Sequence, residues 1–306
     1  MRKIGIIGMG NVGAAVAHQL IASQMVDDLA LYDINEAKVN ADALDFQDAL
    51  ANLENHVNIT VNDWSQLRDA QIIISTLGKI SLTMESKSDR FAELRYTRKA
   101  LGDITANIRN SGFNGVLVVV SNPVDVITAL YQELTGLPTS HVLGTGTLLD
   151  SARMQRIVGE QLGVDPRSVS GYNLGEHGNS QFTAWSTVRV LNQPITELAK
   201  KNGWDLEHFA QLAREGGFAV ASGKHYTNYG VAAAACRIVS CVFQDSHTVL
   251  PVSHYREDYG VYLSYPAIVG RTGIVATTEL ALTAEEKAKM ESSAEFIKER
   301  VAGSRD

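Results

Sequence analysis

Six residues near the N-terminus, Gly8-Met9-Gly10-Asn11-Val12-Gly13, constrain the fold of this chain more than any other feature. A G-x-G-x-x-G by itself says little, because glycine-rich turns are common. Here it follows Ile4-Gly5-Ile6-Ile7, a run of strand length. It also opens the segment Asn11 to Gln24, where Val12, Val16, Leu20 and Ile21 recur at helical spacing. Strand, glycine turn and helix in that order give the motif physical meaning. Gly8 permits a tight turn, Gly10 lets the backbone approach a pyrophosphate, and Gly13 lets helix and strand pack closely. The amino end of the helix, at Asn11 and Val12, offers N–H groups to phosphate oxygens. Asp33 follows the next strand-like run, Leu29 to Tyr32, twenty residues beyond Gly13. A carboxylate there accepts from both ribose hydroxyls and repels a 2′-phosphate, so NAD is expected rather than NADP.

The alternation continues through the first half. Helical spacing spans Ala37 to Leu53, and strands are expected at Val57–Val61, Ile72–Ser75, Val116–Val120 and Val142–Leu143. Helices are expected at about Phe91 to Arg109 and from Pro123 to Leu134. The apolar Val116–Val120 run fits a strand covered on both faces. This pattern predicts an α/β fold with a doubly wound parallel sheet.

The second half has a different texture. A helix is expected at Leu148–Leu162, strands of antiparallel kind at Val169–Tyr172 and Phe182–Val190, and helices at Asp205–Arg214 and Gly230–Asp245. Strands follow at Thr248–Val252, Val261–Val269 and Ile274–Thr277, then a last helix with Thr283 as N-cap and Glu286 completing a capping box. With 306 residues, two domains are expected. We place a dinucleotide-binding Rossmann domain at 1–146 and a mixed α+β substrate domain at 147–306.

A formal net charge of −7 disfavours nucleic acid and anionic membranes as partners. Arg2-Lys3 before apolar residues imitates a signal peptide, but the glycines interrupt the apolar stretch. No run reaches membrane-spanning length. The two cysteines, Cys236 and Cys241, lie five apart on an expected helix and point in different directions, so they read as buried thiols. A cytoplasmic setting is expected, without a metal.

Candidate chemistry comes from separated segments. His177 stands between glycines in Gly175-Glu176-His177-Gly178-Asn179, and its imidazole suits proton transfer near neutral pH. A lone histidine is more often structural than catalytic. Asp150 and Arg153, three apart at a helix start, share one face. Asp150 can orient an imidazole, and Arg153 can hold a carboxylate through paired hydrogen bonds. A pair at this spacing is also a common surface salt bridge. Asn122, in Ser121-Asn122-Pro123-Val124-Asp125, ends a buried strand at the side where ligands sit in open α/β sheets. It can meet a carbonyl oxygen or the nicotinamide end of a cofactor, or simply cap the following helix. Arg90 ends a polar stretch, Lys79 to Asp89, of a length usual in functional loops.

Taken together, Gly8–Gly13 with Asp33, Ser121–Asp125, Gly144–Arg153, Gly175–Ser180 and Tyr226–Gly230 resemble the lactate/malate dehydrogenase superfamily over essentially the whole chain. Within it, the L-2-hydroxyisocaproate dehydrogenases of lactic acid bacteria are the nearest in character. The resemblance implies reversible hydride transfer between NAD(H) and an L-2-hydroxy acid. His177 would exchange the proton, with Asp150 behind it. Arg153 would bind the substrate carboxylate, and Arg90, on a closing loop, would polarise the carbonyl. Asn122 and Thr227 would complete the substrate side, and Thr76, Gly78 and Asn122 the cofactor side. A homo-oligomer, dimer or tetramer, is implied, with homotetramer the expectation.

Three departures refine this reading. Asn179 stands where the family usually has Asp, as in the hydroxyisocaproate branch. No Arg lies between Lys79 and Asp89 to grip a second carboxylate, which disfavours malate. Members activated by fructose 1,6-bisphosphate carry a His and an Arg where this chain has Ser170 and Gln155. Leu82 and Met84 give the loop an apolar character suited to an aliphatic side chain larger than methyl. Lactate dehydrogenase is the rival among enzymes. A non-catalytic NAD-binding protein is the rival outside them. A metal-dependent hydrolase would need a Cys/His cluster that the sequence does not offer.

Overall fold

The computed structural model describes residues 1–78 and 94–304. The first half alternates as β1 (Lys3–Ile7), α1 (Asn11–Ala22), β2 (Asp28–Tyr32), α2 (Glu36–Leu50), β3 (Asn58–Val61), β4 (Ile72–Ser75), α3 (Leu94–Ser111), β5 (Val116–Val119), α4 (Val124–Thr135) and β6 (Val142–Gly144). These six strands pair in parallel in the order β6-β5-β4-β1-β2-β3. The order reverses between β1 and β4, and a crevice opens there at the carboxyl ends. Every residue of β4 and β5 is buried, as the unbroken apolar runs require. Alternate residues feed two layers. Ile72 and Ile74 join Val16 and Leu20 of α1 on one face, while Ile73 joins Leu101 of α3 and Ile127 and Tyr131 of α4 on the other.

The second half comprises α5 (Leu148–Leu162), β7 (Val169–Ser170), β8 (Asn173–Leu174), β9 (Phe182–Thr183), β10 (Arg189–Val190), β11 (Gln193–Pro194), α6 (Ile195–Asn202), α7 (Leu206–Lys224), α8 (Tyr229–Gln244), β12 (Thr248–Arg256), β13 (Val261–Gly270), β14 (Gly273–Thr277) and α9 (Ala284–Gly303). It is not a separate sheet system. β12 lies antiparallel against β6 through the Ser253–Gly144 pair, and β13 and β14 extend the same sheet to nine strands. The shorter strands form a three-stranded sheet, β11-β10-β7, and a pair, β8-β9.

Several elements differ from expectation for physical reasons. The strand expected at Val169–Tyr172 stops at Ser170, because Gly171 takes a φ of 125° that extended L-residues avoid. Phe182–Val190 is broken by a short 3₁₀ turn at Trp185–Thr187, where the Thr187 hydroxyl donates to the Ala184 carbonyl and accepts from Tyr172 N–H. α7 continues past Arg214 to Lys224 through Gly216 and Gly217. A Cβ at 217 would lie 3.1 Å from the Arg153 guanidinium carbon, and one at 216 would lie 2.5 Å from Arg156 Nη2. Close packing against α5 thus outweighs the poor helix propensity of glycine. The capping box of α9 is present, and Glu286 also accepts from Ser186 N–H and Oγ. Cys236 and Cys241 are buried free thiols, and burial pushes the Cys236 thiol up to about 12. Among the described residues no helix is long and apolar enough to cross a membrane.

Candidate functional site

A cleft of about 780 Å³ opens at the carboxyl ends of β1, β4 and β5 and is closed on its other side by α5, α7 and the 175–180 loop. On the dinucleotide side each glycine has its own cause. Gly8 has a φ of 96°, and a Cβ there would press on the Thr76 carbonyl at 3.0 Å. A Cβ at Gly13 would fall 2.0 Å from the Gly8 carbonyl oxygen. Gly10 differs from both. Its φ is −74°, open to any residue, and a Cβ there meets nothing within 4 Å among the described residues. Packing among the described residues does not require glycine at 10, whereas a ligand passing close to the backbone would. Among the described residues no side chain caps α1, so the N–H groups around Asn11 and Val12 suit such a ligand. Asn11, Val12, Thr76 and Gly78 border the cleft, and the Thr76 hydroxyl ties the walls together by donating to the Gly8 carbonyl at 2.5 Å.

Asp33 stands just behind this wall. Its Oδ2 accepts from Met9 N–H at 2.6 Å and its Oδ1 from Asn35 N–H at 2.8 Å. Asn62 brackets the Asp33 backbone from both sides, accepting its N–H and donating to its carbonyl. The carboxylate is therefore fixed beside the glycine turn rather than loose on the surface.

Across the cleft, His177, Asp150 and Arg153 come together from two segments. Asp150 and Arg153 lie on one face of α5, with Arg153 Nη1 donating to Asp150 Oδ1 at 3.0 Å. The other carboxylate oxygen, Oδ2, accepts from His177 Nδ1 at 2.6 Å. A carboxylate can only accept, so Nδ1 carries the proton, and a proton exchanged with a ligand would pass through Nε2. Asp150 is 5% exposed, so neither link is the solvated surface pair that its spacing also allowed. Asn122 borders the cleft, and among the described residues its buried Oδ1 has no hydrogen-bond partner. A bound ligand's donor satisfies such an atom. Thr227 also lines the cleft, just before Asn228 caps α8. Arg90, Leu82 and Met84 lie outside the described residues.

The structure adds residues to which the sequence assigned no role. Glu176 is buried, and its carboxylate accepts from Ser180 N–H and Oγ while folding tightly beneath Gly178. Its own N–H donates to Ser293 Oγ of α9. Asp125, 2% exposed in the first turn of α4, accepts from His177 N–H at 2.8 Å and from Ser253 Oγ at 2.6 Å. Burial pushes its carboxyl up to about 6. One signal was available for it: an acid inside the apolar run Val124-Asp125-Val126 has to be buried with partners. On α7, the cleft is lined by the small residues Ala210, Ala213, Gly217 and Ala221 in helical register, with Arg214 and Phe218 beside them.

A nucleotide-binding sheet edge that faces a paired His and Asp, with an Arg beside them, defines a dinucleotide-dependent dehydrogenase of small acids. Residues 2–144 match the NAD-binding domain of lactate/malate dehydrogenases, and residues 147–304 match the alpha/beta C-terminal domain of the same enzymes. The chain belongs to the lactate/malate dehydrogenase family. It is 36% identical to L-lactate dehydrogenase 1 of Bifidobacterium longum, with 98% of this chain and 97% of that protein covered. It is 34% identical to L-lactate dehydrogenase 2 of Enterococcus faecalis, over 98% and 96% of the two chains. Among solved structures it resembles the ligand-bound minor L-lactate dehydrogenase of Enterococcus mundtii, with a TM-score of 0.93, 34% identity and coverage of 99% and 98%. It also resembles a lactate dehydrogenase from a Medee basin deep-sea metagenome, with a TM-score of 0.92, 30% identity and both chains fully covered. The chain is thus an NAD-dependent oxidoreductase acting on the CH–OH group of 2-hydroxy acids.

Proposed function

We propose that the chain interconverts L-2-hydroxy acids bearing aliphatic side chains, of the 2-hydroxyisocaproate type, with their 2-oxo acids. The observation that carries this reading is the His177–Asp150–Arg153 constellation on the wall of a cleft whose other wall is the glycine turn. Arg153 pairs with the substrate carboxylate and fixes its register. His177, held through Nδ1 by Asp150, hydrogen-bonds the carbonyl oxygen through Nε2 and delivers a proton to it in the reducing direction. The cofactor, held by the turn at Gly8, Gly10 and Gly13 with Asn11, Val12, Asp33, Thr76, Gly78 and Asn122, supplies the hydride when bound. Arg90 is assigned, on the resemblance, to polarise the carbonyl and stabilise the developing alkoxide. Thr227 and Asn122 border the substrate.

Ala210, Ala213, Gly217 and Ala221 on α7, with the apolar Phe218 beside them, support a substrate side chain larger than methyl, as the apolar Leu82 and Met84 also favour. L-Lactate oxidation is the second reading, favoured by the names of the relatives. One methylene in an apolar pocket changes preference by only ~1–3 kcal/mol, so the two substrates are separated by degree. We divide the chain at 146/147 into cofactor and substrate domains and place it in the cytoplasm as a homotetramer.

Steady-state kinetics with NADH and pyruvate, 2-oxoisocaproate, phenylpyruvate and oxaloacetate test the assignment. A kcat/KM for 2-oxoisocaproate at or above that for pyruvate is expected. Preference for oxaloacetate refutes it. NADH binding with no turnover of any of the four points to a non-catalytic protein.

A further inference from the structure

We propose that Asp125 is a positioning residue for proton transfer: a second carboxylate that serves His177, holding its main chain from α4 while its negative charge favours the imidazolium. The inference rests on the reading of His177 as proton donor.

Asp125 has two partners among the described residues, His177 N–H and Ser253 Oγ, and no cation. It joins three elements that build the site. α4 begins immediately after Asn122 and Pro123, β12 supplies Ser253, and the 175–180 loop supplies His177. Ser253 is itself fixed, since it pairs with Gly144 where the two halves of the sheet meet. The imidazole therefore has two independent anchors. Asp150 holds the ring through Nδ1, and Asp125 holds the peptide from which the ring hangs.

A link of this geometry does not need a charge. Asparagine has the same shape and would accept from His177 N–H while donating to Ser253 Oγ. A carboxylate in the same place is opposed by desolvation, which is why its carboxyl is raised. That opposition is understandable where the charge acts on a neighbour. The titratable groups acting on Asp125 are His177, which favours the ionised form, and Glu176, which disfavours it. Asp150 approaches His177 from α5 with Arg153 on its far oxygen, and β12 presents the neutral Ser253. At neutral pH an ionised Asp125 adds negative potential beside an imidazole that gains a positive charge when ready to reduce a ketone.

The test is Asp125→Asn, read as the pH profile of kcat/KM for pyruvate at saturating NADH. Removing the charge while keeping the hydrogen bonds is expected to move the alkaline limb down by about half a pH unit or more. The loss is then about threefold or more at pH 8.5 and smaller at pH 6, with the NADH Kd within twofold of wild type. A profile that does not move, or a loss equal at every pH, overturns the proposal, because a purely structural contact would give one of these. If Asp125→Asn does not fold, Ser253→Ala decides. It weakens the ionised carboxylate without touching the loop, so the limb is expected to move in the same direction by less. No movement there overturns the proposal as well. A wild-type chain that turns over no 2-oxo acid with NADH fails the dehydrogenase reading itself and takes this proposal down with it.

Discussion

The turn at residues 8–13 is held by its own backbone, whereas the loop at 175–180 is held by partners that arrive from four other elements. In the first, Gly8 and Gly13 are needed because main chain meets main chain, and everything that specifies the shape lies within a few residues and the adjoining Thr76. In the second, Gly175 pairs with Ser264 of β13, Glu176 with Ser293 of α9, the His177 peptide with Asp125 of α4, and the His177 ring with Asp150 of α5. The difference follows from the task. A pyrophosphate is read by N–H groups that a regular strand-turn-helix already presents. A proton donor has to be placed within a fraction of an ångström, and irregular backbone achieves that only when other elements fix it.

The contrast is broken most forcefully on the proton-transfer side. His177→Ala is expected to lower kcat by about 10³-fold with NADH affinity retained, since general acid–base groups contribute ~10²–10⁴-fold. Arg153→Leu is expected to act chiefly on KM for the 2-oxo acid. Near-normal kinetics in either variant would remove that residue from the mechanism.

On the backbone-held side the glycines should separate. Gly13→Ala places a carbon 2.0 Å from the Gly8 carbonyl oxygen and is expected to destabilise the fold by about 3 kcal/mol. Gly10→Ala meets open space, so its denaturation midpoint should match wild type while NADH affinity falls about tenfold, or ~1.4 kcal/mol. Urea unfolding and NADH fluorescence titration measure the two effects. Equal stability losses in both variants would mean that Gly10 is structural after all.

A pH series sharpens the comparison further. His254 of β12 is buried, with Nδ1 against the Val252 carbonyl, and burial lowers its pKa to about 4. Between about pH 6.5 and 4 the unfolded chain takes up a proton that the folded one does not, so stability falls with pH, by about 2 kcal/mol at pH 5. Asp125 runs the other way. Its raised value means that the folded state gains stability as pH falls toward the usual carboxylate range and loses it as pH rises through about 6, an opposing effect of about 1 kcal/mol at pH 5. His254→Asn keeps a donor toward Val252 but cannot be charged. It is expected to lose less stability than wild type between pH 7.5 and 5, measured by urea midpoints at each pH. Smallest of all, Ser293→Ala removes the acceptor of the Glu176 N–H and one partner of Ser180, and should cost about 1 kcal/mol.

The same contrast explains what could be read in advance. The dinucleotide half is legible because its rules are local. Ile72–Ser75 matches expectation in full, and β1 and β5 differ from it by a single residue. Thr283 and Glu286 announce their helix for the same reason, four residues deciding the outcome. α6 went unseen although Ile195, Leu198 and Ala199 have helical spacing, because Pro194 before them reads as a break rather than as an N-cap. The helix expected to end at Arg214 runs on through the glycines at 216 and 217, and only the arginines of α5 pressed against them show why. Asp150, Arg153 and His177 could be picked out by residue type. Asp125 was signalled only as a buried acid in an apolar run, and its role, like those of Glu176 and Ser293, exists only once segments far apart in the chain have met.

The seam between Gly144 and Ser253 has a consequence for how the chain reaches this state. β6 is the last parallel strand, and the neighbour that covers its outer edge is β12. During synthesis the first half can assemble its helices and five inner pairings, but from residue 144 until residue 253 has emerged it displays an apolar strand with open N–H and C=O groups. That interval is when the nascent chain most needs protection from pairing with a neighbour. A chain cut short before β12 would keep its nucleotide turn and be left with a sticky margin in place of a finished sheet.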